Sequence, residues 1–310
     1  VVTPEASNEI RLNVEALQMA EGTRATTIDD DDDLQGCDLR IDAYYHDTET
    51  SYLSNTKLHY TGGDPAWQFW NGSQLHYYWP FEGSKVAGGS TVASTLDFVG
   101  YCPYTAPGYI TPGSYNHSTG ASFSCDVSSY MTLARQQGSE APTIPTLQEY
   151  LIAVLPNQTY ADQVAHSGVP LQFKHPFALV KFVIAEGRGT NVQVNSISIG
   201  GLYTSGTCTY NGSTMTWGSY DGSAAMTITP EDPLKYGTSS TETYSLVVIP
   251  NNYGSKTLTV NGTWDSWSAL TKDISTTVDI NWQPGYIYTY NLTVTKYALK
   301  VDIEKVTEQW

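Results

Sequence analysis

Leu171–Ala185 reads LQFKHPFALVKFVIA, two apolar runs joined at His175–Pro176. Its apolar positions follow a period of two, and its aromatic and β-branched residues suit a pleated surface. The segment therefore reads as strand, with Phe173, Phe177, Leu179, Val180 and Phe182 in the core. Pro176 donates no ladder hydrogen bond and should sit at a strand edge or a bulge. Alternation slips by one residue there, which fits a change of face. His175, inside the apolar run, should be a hydrogen-bonded histidine at the edge of the core.

The same period extends in both directions. Ile10, Leu12 and Val14 share one face, as do Leu39, Ile41, Ala43 and Tyr45. Trp67–Phe69 and Leu75–Trp79 flank Asn71-Gly72, the signature of a tight hairpin. Ser94–Tyr101 is a further strand, stopped by Pro103. Residues 103–145 are rich in Pro, Gly, Ser and Tyr and read as loops, with at most one short helix near Met131–Gln137. Strands resume at Tyr150–Leu155. They continue at Val192–Ile199, Ser245–Ile249, Thr257–Thr263, Ser275–Ile280, Tyr286–Val294 and Ala298–Val306. Many short strands with turn signals every ~8–12 residues predict an all-β chain of β-sandwiches. The polar stretch Ala161–Pro170 lies between two apolar strands and gives domains 1–165 and 166–310.

Composition agrees. At 310 residues the length suits about two domains. Only 15% of residues are charged, whereas 66 are Ser or Thr and 23 are Tyr, as on polar strand faces. The net charge of −16 comes without a basic stripe, which argues against nucleic acid and against an anionic membrane surface. No apolar run reaches the ~18 residues of a transmembrane span, and no signal peptide is visible after Val1.

The search for chemistry is mostly negative. Six histidines are scattered without a metal-binding spacing. No GxSxG, SxxK or phosphate-binding loop occurs, so neither an enzyme nor a bound cofactor or metal is expected. Asp29–Asp33 lacks the alternation of a calcium loop and should be extended and solvated. The four cysteines are too widely spaced for a metal knuckle. They read as small core residues, or else Cys102 and Cys125, which flank a Gly/Pro/Ser-rich stretch, are bridged. Tyr101, Tyr104, Tyr109 and Tyr115 crowd a Pro/Gly loop; they either pack there or stand exposed to stack on a sugar or a protein partner. Arg24 is a lone arginine in Thr23-Arg24-Ala25-Thr26, small residues of the kind found in cleavable loops.

Several segments, in order, resemble the fimbrillin family of Bacteroidales surface pilins. They are Ile10–Val14, Gly22–Thr26, Tyr77-Tyr78-Trp79-Pro80, Leu96–Tyr101, Leu171–Phe182, Val247-Val248-Ile249-Pro250 and Trp282–Tyr290. The strongest is Leu171–Phe182, where the family reads roughly F-x-H-x-x-A-x-V-x-F; Pro176 is a local departure.

The resemblance implies two transthyretin-like β-sandwich domains in tandem. It implies export as a lipoprotein precursor to the outer membrane, and a place in a cell-surface fimbrium with a role in adhesion. An arginine-specific protease would cut between Arg24 and Ala25 and free the first strand, residues 1–24. Ile10, Leu12 and Val14 would fill a groove that another pilin subunit, identical or different, then occupies. A donor could be the C-terminal strand, with Leu299, Val301 and Ile303 as its apolar members. The alternative is a monomeric surface lipoprotein that binds host glycan or protein through its loop aromatics.

Overall fold

The computed structural model describes residues 8–16, 31–81, 95–134, 149–186, 192–229, 234–235, 242–264, 270–294 and 298–306. The chain is all-β. Among the described residues, helix is confined to α1 (Asp31–Gln35), a 3-10 turn at Ser128–Tyr130 and α2 (Tyr160–His166). Among the described residues, no helix is long and apolar enough to cross a membrane.

The chain separates into two compact units. The first contains β1 (Leu12–Ala16), β2 (Leu39–Tyr45), β3 (Ser51–Tyr60), β4 (Trp67–Trp70), β5 (Gln74–Leu75), β6 (Leu96–Cys102), β7 (Leu151–Gln158) and β8 (Val169–Phe173). Six of these form a sheet in the order β7-β6-β2-β3-β4-β5. The expected turn at Asn71-Gly72 joins β4 to β5, with Gly72 at a φ of 79° that glycine adopts without cost. β1 and β8 form a separate parallel pair, Leu12 opposite Val169 through Ala16 opposite Phe173. The core of this unit joins Ile10, Leu12, Val14, Leu39, Ile41, Trp79, Phe98, Leu171 and Phe173.

Among its described residues, the second unit holds two sheets. One runs β12-β9-β15-β16, from Glu242–Val248 (β12), Ala178–Glu186 (β9), Ile287–Val294 (β15) and Leu299–Val306 (β16). The other runs β14-β13-β10-β11 and then Thr132–Ala134, from Leu270–Asn281 (β14), Asn252–Trp264 (β13), Val192–Leu202 (β10) and Ala224–Thr229 (β11). β9 is central and pairs antiparallel to β12 and parallel to β15.

The run 171–185 is not one strand. β8 ends at Phe173, β9 begins at Ala178, and the first unit gives way to the second between Pro176 and Phe177. Proline without an N–H is well suited to that break. Phe173, Phe177, Leu179, Val180 and Phe182 are all buried, as the period predicts. The stretch 161–170, read as a boundary, instead carries most of α2 and the start of β8, both within the first unit.

Two local readings are corrected. Residues 103–145 include two neighbouring strands, Ile110–Asn116 and Gly120–Asp126, where loops are expected. Asp31–Asp33 begins a helix, although an extended run is expected. Acidic residues in a first turn complement the helix dipole, and fully buried Leu34 anchors the turn while Asp32 and Asp33 face solvent. Asp29 and Asp30 lie outside the described residues.

The seat of the first strand as the candidate functional site

Residues 8–16 are held in the first unit by their own alternation. Ile10, Leu12 and Val14 are 2%, 4% and 6% exposed, while Arg11 and Asn13 are half-buried and Glu15 is exposed. Burying three such side chains contributes roughly 5–9 kcal/mol.

The backbone of this segment is satisfied from several sides. Ile10 N–H donates to the Tyr77 carbonyl at 2.7 Å, and Trp79 N–H donates to the Asn8 carbonyl at 2.8 Å. Val169 N–H donates to the Arg11 carbonyl at 2.8 Å. Between these contacts sits Gln163 of α2, 5% exposed. Its Oε1 accepts from Arg11 N–H at 2.7 Å and from the Trp79 indole N–H at 2.9 Å. Its Nε2 donates to the Glu9 carbonyl at 2.8 Å. A single amide thus pairs a donor and an acceptor of the first strand, which a buried backbone requires.

Local sequence aims that amide. Thr159 opens α2 with a capping box: its hydroxyl accepts from Asp162 N–H, and the Asp162 carboxylate accepts from Thr159 N–H at 2.9 Å. The Thr159 hydrogen bonds hold the Asp162 carboxyl below the usual carboxylate range. The helix closes on Ser167 in the left-handed conformation, with Gly168 N–H donating to the Gln163 carbonyl at 2.9 Å. Gly168 has a φ of 145°, and a Cβ there would lie 2.8 Å from Asn13 N. The first strand therefore needs glycine at this point. Gly100 serves β8 likewise, since a Cβ would lie 2.6 Å from the Phe173 ring.

The rim is polar. His76 Nδ1 lies 2.5 Å from Glu9 Oε1, and Arg11 lies 3.6 Å from Asp64, which is fully open to solvent. Exposed pairs of this kind add little.

Arg24 and Ala25 fall outside the described residues. Leu299, Val301 and Ile303 belong to β16, the edge strand antiparallel to β15, with Val301 opposite Leu292 and Ile303 opposite Tyr290. Val301 is half-buried and Ile303 is 44% exposed. Tyr101, Tyr109 and Tyr115 are buried and Tyr104 half-buried, so the first three offer no open ring to a sugar or a partner. Tyr115 instead donates its hydroxyl to buried Asp97 at 2.8 Å. All four cysteines, Cys102 and Cys125 included, are free thiols. His175 is 3% exposed, beside Glu149 at 3.0 Å.

Gln163 and Gly168 are the seat residues that sequence reading missed. A glycine just after a short capped helix is a visible C-terminal signal; nothing in the sequence marks the glutamine.

Comparison with known proteins follows the same lines. No curated protein matches the chain. Two solved structures share its fold along nearly its whole length. One is a candidate cell adhesion protein from Bacteroides uniformis ATCC 8492, 17% identical, with a TM-score of 0.52 over 97% of this chain and 99% of that one. The other is a candidate cell adhesion protein from Bacteroides ovatus ATCC 8483, 15% identical, with a TM-score of 0.54 over 99% of each chain. At such identities they establish the fold alone. The sequence profile of fimbrillin-like proteins matches residues 23–310, starting beyond the first strand and running to the last residue. With that match over most of its length, the chain belongs to the fimbrillin-like family.

Proposed function

We propose that the chain polymerises by exchange of its first strand after cleavage at Arg24. Its family makes it a fimbrial subunit of the cell surface, with other pilin subunits as partners. In this reading it is exported as a lipoprotein precursor to the outer membrane and plays a structural, non-enzymatic part in adhesion. An arginine-specific protease cuts between Arg24 and Ala25 and leaves the first strand held only by its own contacts.

The observation that supports the reading is the seat itself. Three alternating apolar side chains are buried, and the backbone between them is read by Gln163 and Val169. Another segment with apolar residues at i, i+2 and i+4 could make the same contacts, because backbone pairing gives affinity whatever the sequence. An emptied seat exposes apolar surface and unpaired backbone, which favours capture of another chain. Head-to-tail donation does not close, so it yields a filament. β16, an edge strand with an exposed Ile303, is our candidate donor.

The test is arginine-specific proteolysis of the purified monomer, followed by size-exclusion chromatography and electron microscopy. The expected result is release of the 1–24 fragment and growth of oligomers, both lost in Arg24→Ala. Equal polymerisation of that variant under the same protease would refute the reading, as would glycan binding by the uncut monomer without any assembly.

A further inference from the structure

Two of the four cysteines meet in the first unit. Cys37 follows α1, its N–H donating to the Leu34 carbonyl at 3.0 Å. β2 starts two residues later and runs antiparallel to β6, with Arg40 opposite Tyr101. That register brings Leu39 to the end of β6, at Cys102, and just beyond it Tyr104 N–H donates to the Asp38 carbonyl at 2.7 Å. Cys37 lies in the turn between α1 and β2, two residues before Leu39. The Cys37 and Cys102 side chains are hydrogen-bonded to each other. Cys102 is fully buried in the core, and Cys37 packs half-buried at its margin.

The contact makes the two thiols unequal. The hydrogen bond from Cys102 brings the Cys37 thiol down to about 7, although burial and the charges of Asp33, Asp38 and Glu149 push it the other way. The same bond, then burial, pushes Cys102 well above its ordinary range. Cys37 is thus the more acidic thiol and the one with solvent access, and Cys102 is the buried thiol that holds its proton more tightly. Reactive cysteines combine those two properties, low pKa and access.

We propose that Cys37 and Cys102 form a dithiol–disulfide site, with Cys37 attacking a disulfide oxidant and Cys102 resolving the product into a bond between the ends of β2 and β6. The Cys37 thiolate attacks one sulfur of R–S–S–R, forming Cys37–S–S–R and releasing R–S⁻. That anion takes the Cys102 proton. The Cys102 sulfur then attacks Cys37 Sγ and expels the second R–S⁻, which is protonated by water. Two protein thiols are oxidised to one disulfide, and one R–S–S–R is reduced to two R–SH. The acidic groups around Cys37 favour a neutral or cationic oxidant over an anionic one.

The test uses the full, folded, reduced protein and cystamine, a cationic disulfide. After reaction the protein is blocked with N-ethylmaleimide, unfolded and mapped by mass spectrometry. The expected result is a fall from four free thiols to two, no cystamine fragment retained, and a cross-linked peptide pair containing Cys37 and Cys102. Cys37→Ser should retain its three remaining thiols, and Cys125→Ser should still close the bridge. The wild-type map decides the matter even if a variant folds poorly. Four unreacted thiols, a lasting adduct on Cys37, or a bridge to Cys125 or Cys208 would each overturn the proposal.

Discussion

Gln163→Ala removes the amide that clasps the first strand. Three side-chain hydrogen bonds are lost: those to Arg11 N–H, the Trp79 indole and the Glu9 carbonyl. Each contributes about 0.5–1.5 kcal/mol net, and a buried donor left without an acceptor costs about 1–3 kcal/mol. Trp79 is 3% exposed, so its indole N–H is such a donor. Allowing water to enter the vacated space and repair part of the loss, the expected cost is about 2–4 kcal/mol. If that cost falls on opening of the first strand, amides of residues 8–16 should exchange about 30–700-fold faster with deuterium. Peptides from β9, in the other unit, serve as the unchanged control. Gln163→Glu sharpens the test: it keeps an acceptor for Arg11 and Trp79 but aims a carboxylate oxygen at the Glu9 carbonyl. Protonation restores a donor there, and burial against a carbonyl raises the pKa of that carboxyl, so protection in this variant should improve as pH falls toward ~4.3, the ordinary glutamate range. Unchanged protection in Gln163→Ala would refute the view that this residue secures the strand.

The two other expectations bear on the same seat. Leu12→Ala should destabilise the first unit by about 2–5 kcal/mol in urea unfolding, while exposed Glu15→Ala should stay within about 0.5 kcal/mol; equal effects would contradict the alternation. Gly168→Ala should cost about 1–3 kcal/mol, because its φ of 145° and the 2.8 Å approach to Asn13 N both exclude a side chain, and an unchanged midpoint would show that the turn relaxes freely.

Where burial follows a period of two, the fold could be read directly. Leu39–Tyr45 and the strands either side of Pro176 were legible because apolar side chains alternate or cluster against a core. Ile110–Asn116 was not, since Pro112-Gly113 resembles a turn. The glycine is there because a Cβ would lie 2.8 Å from the Ser122 carbonyl oxygen, a contact to the neighbouring strand that its own sequence does not announce. β13 and β14 exceed their sequence-based limits because Thr, Asn and Ser continue the ladder with polar faces. At the seat, the occupant was legible from Ile10, Leu12 and Val14. The clasp was not, because Gln163 lies 152 residues from its partner Arg11, and no local pattern records a contact of that range.

That separation bears on the order in which the protein takes shape. The ribosome makes the first strand before any of its seat, and Gln163 and Val169 follow near the middle of the chain. Until then Ile10, Leu12 and Val14 have no site in which to hide. Closing so large a loop is slow and entropically costly, so contacts of this length tend to form late. The first strand, made before its seat, is therefore expected to dock among the last, onto a sheet whose hairpins are already assembled. An element added late can also be the first to come away, which places the strand among the low-stability parts of the unit.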